Sequence, residues 1–243
     1  WWQDPENVEL YQFMAKDNVP FHSIIFPATL LGSGLPYPLP ASIQSSHYLL
    51  YEGRKFSKSK GHGVFGDVLP TLPFPPDSWR FALILSRPER EDTTFSLEEL
   101  ETQHNSVLLK NLGNFVHRVL SMAHREFKTE FPSFPSYEAS PEEAEVIFCA
   151  EMVLAKKNYH EQMEKVELAP ALETCINLSR AGNRYLNLRE PWAKKGLEKQ
   201  EILHVGVHTV YVLAQLLAPF MPVSSSKIFQ LLGYSDPTYE SPR

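Results

Sequence analysis

Arg54-Lys55-Phe56-Ser57-Lys58-Ser59-Lys60 places four cationic side chains in seven residues, with no acid and one large apolar group among them. Gly53 precedes the run, and Gly61 and Gly63 follow it. Glycine reaches backbone angles that other residues avoid, so the flanks let a loop swing. A mobile cationic loop suits the neutralisation of charge that builds on a phosphate group as it is displaced. An arbitrary basic heptad reads as a solvated turn. The order Lys-Phe-Ser-Lys-Ser, more than the composition, separates this one from that reading.

Two further groups carry side chains of chemical interest. Lys16, Asp17 and Asn18 follow a short apolar strand candidate, Tyr11 to Ala15, and precede an apolar run from Ser23 to Leu31. A strand, a polar turn and a helix place these residues beyond a strand's carboxyl end, where open α/β sheets bind ligands. An aspartate there suits ribose hydroxyls, and His22, one turn into the helix, can line the same pocket or sit as a satisfied core histidine. Farther along, Asn111, Asn114 and Arg118 fall on one polar face of a predicted helix. Amides and a guanidinium can hydrogen-bond to splayed single-stranded bases, although a solvated helix face has the same pattern.

The elements that position these groups follow from local pattern. Ser46 to Tyr51 reads as a strand leading into the lysine loop, with Leu49 and Leu50 as sheet residues. Pro70, Pro73, Pro75 and Pro76 punctuate a linker, and Asp77 is expected to cap a short helix, Ser78 to Ser86. Ser96-Leu97-Glu98-Glu99 has the form of a capping box. From there to about Phe127, Leu108, Leu112, Phe115, Val116 and Val119 make one apolar stripe at helical spacing. Phe131 to Tyr137 reads as a loop. Ser140 and Pro141 are expected to open a helix that runs to about Val166. A further helix is expected from Pro170 to about Tyr185, then a break from Asn187 to Pro191. The last long helix spans about Glu198 to Ala218, ended by Pro219 and Pro222. The fold class is therefore mostly α: a partial Rossmann-like α/β segment and a small α/β connective region precede an α-helical bundle.

Bulk properties bound the function. The chain has 243 residues, 43% of them hydrophobic, enough for real cores. Its formal charge is −6, so nucleic-acid binding has to use local basic patches. Cys149 and Cys175 are too isolated for a disulfide framework or a zinc knuckle and fit thiols in a reducing compartment. No signal or transit segment opens the chain. The apolar run from Ile202 to Met221 is broken by His204, His208 and Gln215, so it reads as a buried helix and no membrane partner is expected. Trp1 stands where an initiator methionine is absent, which points to a piece of something longer.

Several stretches, in order, carry a resemblance: Ala15-Lys-Asp-Asn-Val-Pro-Phe-His22 with the apolar run behind it, Gly53 to Asp67 around Lys-Phe-Ser-Lys-Ser, Asp77 to Glu89, Asn111 to Arg118, Asn183 to Trp192, and Leu216 to Pro222. The lysine pentapeptide resembles the Lys-Met-Ser-Lys-Ser signature of class I aminoacyl-tRNA synthetases. Together with Lys16 to His22 and Glu190-Pro191-Trp192, it resembles the carboxyl-terminal part of methionyl-tRNA synthetases of the cytosolic eukaryotic type. Phe56 and Asn18 depart from the common bacterial pattern and look like the eukaryotic branch.

The resemblance implies roles. Lys55 and Lys58 match the signature lysines that neutralise the triphosphate as pyrophosphate leaves, with Ser57 and Ser59 in the same ATP-binding loop. Asp17 matches the residue near the ATP ribose, and Leu49 falls where backbone groups hold adenine. Asn18 and His22 match positions lining the methionine pocket. Asn114, Arg118, Pro191 and Trp192 match residues that read the CAU anticodon. The implied substrates are ATP with Mg2+, L-methionine and tRNA-Met, with no zinc ligands in this segment and a cytoplasmic setting.

The family's other catalytic signature, His-Ile-Gly-His, does not occur in this sequence. Adenylation by these residues alone is therefore not expected, and the missing amino-terminal half is an expected partner, as is a multi-synthetase complex. A non-catalytic tRNA-binding module with the synthetase fold is the alternative. The expected divisions are 1–45 for the carboxyl-terminal part of the catalytic Rossmann fold, 46–98 for the connective region with the lysine loop, 99–233 for the anticodon-binding bundle and 234–243 for a tail.

Overall fold

The structure is a computed structural model that describes residues 1–127 and 142–234. The expected loop Phe131 to Tyr137, the residues Ser140 and Pro141, and most of the tail lie outside the described residues. Two compact units emerge, one of residues 1–66 with 86–96 and the other of residues 67–85 with 97–243. The stretch 46–98 is thus shared between them.

The first unit is α/β. Strand β1, Leu10–Ala15, leads into a 3-10 turn, Lys16–Asn18, and a wide-pitched turn, Phe21–Ile25, that continues as helix α1, Phe26–Gly32. Strand β2, Pro40–Ser46, returns parallel to β1, with Tyr11 opposite Ser42 and Ala15 opposite Ser46. Parallel neighbours need a crossover, which α1 supplies. Strand β3, Leu49–Tyr51, pairs in parallel with β4, Thr93–Phe95, Leu49 lying opposite Thr93 and Tyr51 opposite Phe95. The expected single strand from Ser46 to Tyr51 is therefore two strands. The His47 amide donates to the Pro88 carbonyl at 2.8 Å and the Tyr48 amide to an Asp92 carboxylate oxygen at 3.0 Å, so both leave the ladder. Phe13, Phe21, Ile24, Ile25 and Leu31 are exposed. Parallel sheets are ordinarily covered on both faces, so this unit presents uncovered apolar surface.

The second unit is helical. Helix α2 is Pro76–Leu85. Helix α3, Leu97–Gln103, passes through a π-pitched stretch, His104–Gly113, into α4, Asn114–Phe127, giving the continuous helical run that the apolar stripe predicts. Then come α5 (Glu143–Glu164), α6 (Leu168–Arg189), α7 (Gly196–Leu217) and α8 (Pro222–Leu231). Their common core includes Phe115, Val119, Leu172, Ile176, Leu186, Ile202, Leu213 and Phe229, all buried. Gly182 makes the α4–α6 contact close: a Cβ there would lie 2.5 Å from the Phe115 ring.

Three boundaries differ from expectation. Helix α6 continues through Asn187 to Arg189, because the break comes only at Glu190, whose left-handed φ of 45° ends the helix. Pro222 begins α8 instead of closing the bundle; proline at a first helical position loses no hydrogen bond. Asp77 sits inside α2 and does not cap it. Its carboxylate instead accepts the Ser224 amide at 2.6 Å, at the start of α8. Among the described residues, Glu142 is the N-cap of α5, and its amide donates to Glu145 at 3.0 Å in a reciprocal capping box.

One buried cation joins three helix ends. Arg189, 6% exposed, pairs with Glu142, with Glu145 at 3.2 Å and with Glu198 at 3.8 Å. Tyr185 donates to Glu145 at 3.0 Å. Burial pushes the Glu145 carboxyl above the ordinary glutamate value, outweighing that hydrogen bond. Arg189→Met leaves Glu145 buried without its cation, so a loss of about 3 kcal/mol is expected in urea denaturation at neutral pH. The charged form of Glu145 is the one that burial penalises, so the deficit shrinks as pH falls through its raised pKa. An unchanged deficit across that range would assign the loss to packing alone.

Candidate functional site

The lysine loop is a tight structure closed by backbone pairing. Tyr51 and Arg54 exchange hydrogen bonds of 2.8 and 3.0 Å, as do Ser57 and His62. Lys58–Lys60 form a 3-10 turn that Gly61 ends at a φ of 62°, a left-handed angle glycine adopts without steric cost. Beneath the turn, the Tyr51 ring meets Phe56 at 5.6 Å and His62 at 5.2 Å, and the His62 ring bonds the Tyr51 carbonyl at 2.8 Å. Phe56 thus anchors the loop. Lys55, Lys58 and Lys60 are left exposed on the outer side, and Ser57 faces Ser59 at 3.4 Å.

Tyr48 connects this loop to the turn after β1. Lys16 lies 4.7 Å above its ring and Lys55 lies 5.0 Å from it. The Asp17 carboxylate beside its hydroxyl raises the tyrosine pKa above its ordinary value. Lys16 also donates to Asp92 at 2.7 Å and contacts the His47 ring at 3.3 Å. The structure therefore brings Asp17 and Lys55 to one side chain. Leu49 is the first residue of β3, directly after Tyr48. Asn18 is exposed on the same turn as Asp17, and His22 bonds Gln12 of β1 at 3.1 Å. Tyr48 and Asp92 carry no motif of their own. The sequence signal for Asp92 is weak, since it is one acid of several, with Glu89 and Glu91, just before β4.

In the helical unit, Arg118 and Trp192 come together from distant positions. The Arg118 guanidinium lies 5.3 Å from the Trp192 ring centre, and the indole is 53% exposed. Pro191 is buried beneath it, following the left-handed Glu190, so the turn presents the ring outward. Asn114 is exposed one turn before Arg118. Asn111 leaves the expected polar face. Its amide donates to the Ser179 hydroxyl at 2.7 Å, packing the residue against α6 as a structural contact. Two residues that sequence reasoning left without a role, Asn183 and Asn187, accept from Arg118 at 3.1 and 2.8 Å. Their spacing of four on α6 is the signal that could have found them.

Comparison with known proteins identifies the family. Residues 1–120 match the family model described as tRNA synthetases class I (M), and residues 135–242 match the anticodon binding domain of methionyl tRNA ligase. The chain belongs to the methionyl-tRNA synthetase family. It is 40% identical over 234 residues to the human cytoplasmic methionine–tRNA ligase, matching 94% of this chain and 25% of that protein. The cytoplasmic enzyme of Arabidopsis thaliana is 42% identical over 239 residues, 96% of this chain and 30% of the relative. A Mycobacterium tuberculosis methionyl-tRNA synthetase in complex with methionyl-adenylate superposes with a TM-score of 0.81 at 26% identity, over 93% of this chain and 44% of that one. The chain thus spans 25–30% of the length of these curated relatives. Within this methionyl-tRNA synthetase segment, no group of three or more His, Cys, Asp or Glu could hold a metal ion among the described residues. No described helix is long and apolar enough to cross a membrane.

Lys16 holds the Asp92 carboxyl below the ordinary aspartate value, assisted by the Tyr48 amide. That contact is present above the unfolded-state pKa of Asp92 and is lost as pH falls through the lowered folded value. Lys16→Gln is expected to move the Asp92 carboxyl back toward the ordinary range in an NMR titration of side-chain carboxyls. An unmoved titration would mean that the Tyr48 amide and the His47 ring set it without Lys16.

Proposed function

We propose that this chain is the part of a methionine–tRNA ligase that supplies the triphosphate side of the active site and reads the anticodon. In this reading Lys55 and Lys58 neutralise ATP charge as pyrophosphate departs, with Ser57 and Ser59 in the same loop. Asp17 receives the ribose, and backbone groups at Leu49 receive adenine. Asn18 and His22 line the methionine pocket. The methionine carboxylate is itself the nucleophile, so these residues work by position and charge. Mg2+ enters with ATP as part of the substrate.

The uncovered apolar surface of the first unit supports a partner there: the upstream half of such an enzyme, on the same or another polypeptide. Adenylation needs that half, because the His-Ile-Gly-His signature is not among these residues. The divisions follow as 1–45 for catalytic fold, 46–98 for connective region, 99–233 for anticodon bundle and 234–243 for tail. A cytoplasmic setting follows from the relatives, whose names say cytoplasmic, and membership of a multi-synthetase complex belongs to the same proposal.

The observation that carries the anticodon half is the pairing of a fixed guanidinium with an exposed indole. Asn114, Arg118 and the Pro191-Trp192 turn together offer donors beside a stacking platform. Stacking of one base on such a ring is worth roughly 1–3 kcal/mol. At fixed low salt, a labelled hairpin bearing CAU in its loop is expected to bind this chain at least tenfold tighter than the same hairpin with CAU scrambled. Trp192→Ala is expected to remove the preference. Equal binding of both hairpins by folded protein would overturn the anticodon reading.

A further inference from the structure

Helix α5 carries apolar side chains on two opposite faces. Phe148, Met152 and Tyr159 are buried in the core of the helical unit. Val146, Ile147, Val153 and Leu154 lie on the other side and are 52, 53, 66 and 56% exposed. A helix that is apolar on both faces is ordinarily covered on both. The outer set is contiguous. With Ala150, Glu143 and Lys157, all exposed, it falls within about 60° of one line along the helix. Single exposed aliphatic side chains are common on any surface, but four on one stripe mark a contact face.

The order of residues on this stripe says what covers it. Counted from Ala150, Ile147 and Val153 stand three residues to either side, Val146 and Leu154 four, and Glu143 and Lys157 seven. The stripe is thus symmetric in its apolar groups and opposite in the charges at its ends. A second α5 laid antiparallel across a two-fold axis at Ala150 sets Ile147 against Val153, Val146 against Leu154 and Glu143 against Lys157, each contact occurring twice. Alanine at the crossing point lets the two helices approach closely. A parallel arrangement would set Glu143 against Glu143 and Lys157 against Lys157. Within its own helix Lys157 meets Glu161 at 3.8 Å, with both side chains more than half exposed, and giving up so loose a pair costs little.

We propose that α5 is a self-association surface, through which two copies of this chain pair antiparallel about a two-fold axis at Ala150. Apolar contact supplies the attraction, and the two Glu143–Lys157 pairs select the antiparallel register. One helix against one helix is a small interface, below the roughly 1,200 Å² of total area that standard specific complexes bury, so the dimer is weak and concentration-dependent. The proposal is independent of the ATP and anticodon readings above. Its residues belong to the helical unit, whereas the uncovered Phe13 and its apolar neighbours belong to the first unit.

Sedimentation velocity of the whole chain over a wide concentration range reads the dimer, and the thermal midpoint reports folding. Leu154→Glu is expected to weaken dimerisation by about tenfold or more with the midpoint unchanged, because it places an unpaired charge inside the contact. Glu143→Lys and Lys157→Glu are each expected to weaken it by setting like charges opposite. The chain carrying both reversals is expected to dimerise more tightly than either single variant, since every pair is again opposite in sign. If a charge reversal fails to fold, Ala150→Cys in a Cys149→Ser background decides. Under an added oxidant it is expected to link two copies across the axis, and Asn158→Cys, two turns away, to link far fewer. Equal linkage by the two overturns the proposal. So does a wild-type chain that stays monomeric, a single reversal without effect, or a double reversal no tighter than the singles. Association kept in Leu154→Glu and lost in Phe13→Glu also overturns it and assigns the contact to the first unit.

Discussion

The helical unit depends on the burial of one arginine. Arg189 ends α6, reaches Glu142 and Glu145 at the start of α5, and meets Glu198 in the first turn of α7. A buried guanidinium is tolerable only where its charge is matched, and these carboxylates match it. The cost of separating them locks three helix ends in one arrangement. The chain leaves Arg189 through a left-handed Glu190 into Pro191 and Trp192, so the ionic knot also decides where the exposed indole stands. In the proposed reading the indole is a stacking surface, and such a surface has to wait in place. Here the rigidity comes from charge burial one turn away.

The same unit shows two ways of holding an arginine. Arg189 is quenched by carboxylates and is inaccessible, as suits a structural element. Arg118 is held by amides at the surface and retains its charge. The difference follows from the chemistry of the partners, since both side chains are identical and both sit on helices that pack together. In the first unit, Tyr48 does comparable work with an aromatic face. Lys16 and Lys55 lie near one ring whose hydroxyl has Asp17 beside it, so the lysine loop and the turn after β1 share a reference point. The first unit also keeps apolar surface uncovered around a two-stranded parallel sheet, an arrangement of marginal stability by itself.

What the sequence by itself determined was local. The β1–turn–α1 order, the lysine loop with its flanking glycines and the run from Leu97 to Phe127 were all legible, because periodicity and turn chemistry act over a few residues. The family was legible too, through motifs whose order and composition are specific. Arg118 and Trp192 could be singled out from those motifs, and the structure brings them together. Only the tertiary structure decided the rest. It turned Asn111 inward to Ser179, enlisted Asn183 and Asn187 for Arg118, moved the α6 terminus to Arg189 and sent Asp77 to the start of α8. It also divided the stretch from Ser46 to Tyr51, because Pro88 and Asp92 took the amides of His47 and Tyr48. All but the α6 terminus, which the left-handed Glu190 sets locally, depend on a hydrogen-bond partner more than thirty residues away, and one-dimensional pattern has no record of such partners. Local pattern reads the donors and acceptors a chain owns; folding decides which of them meet.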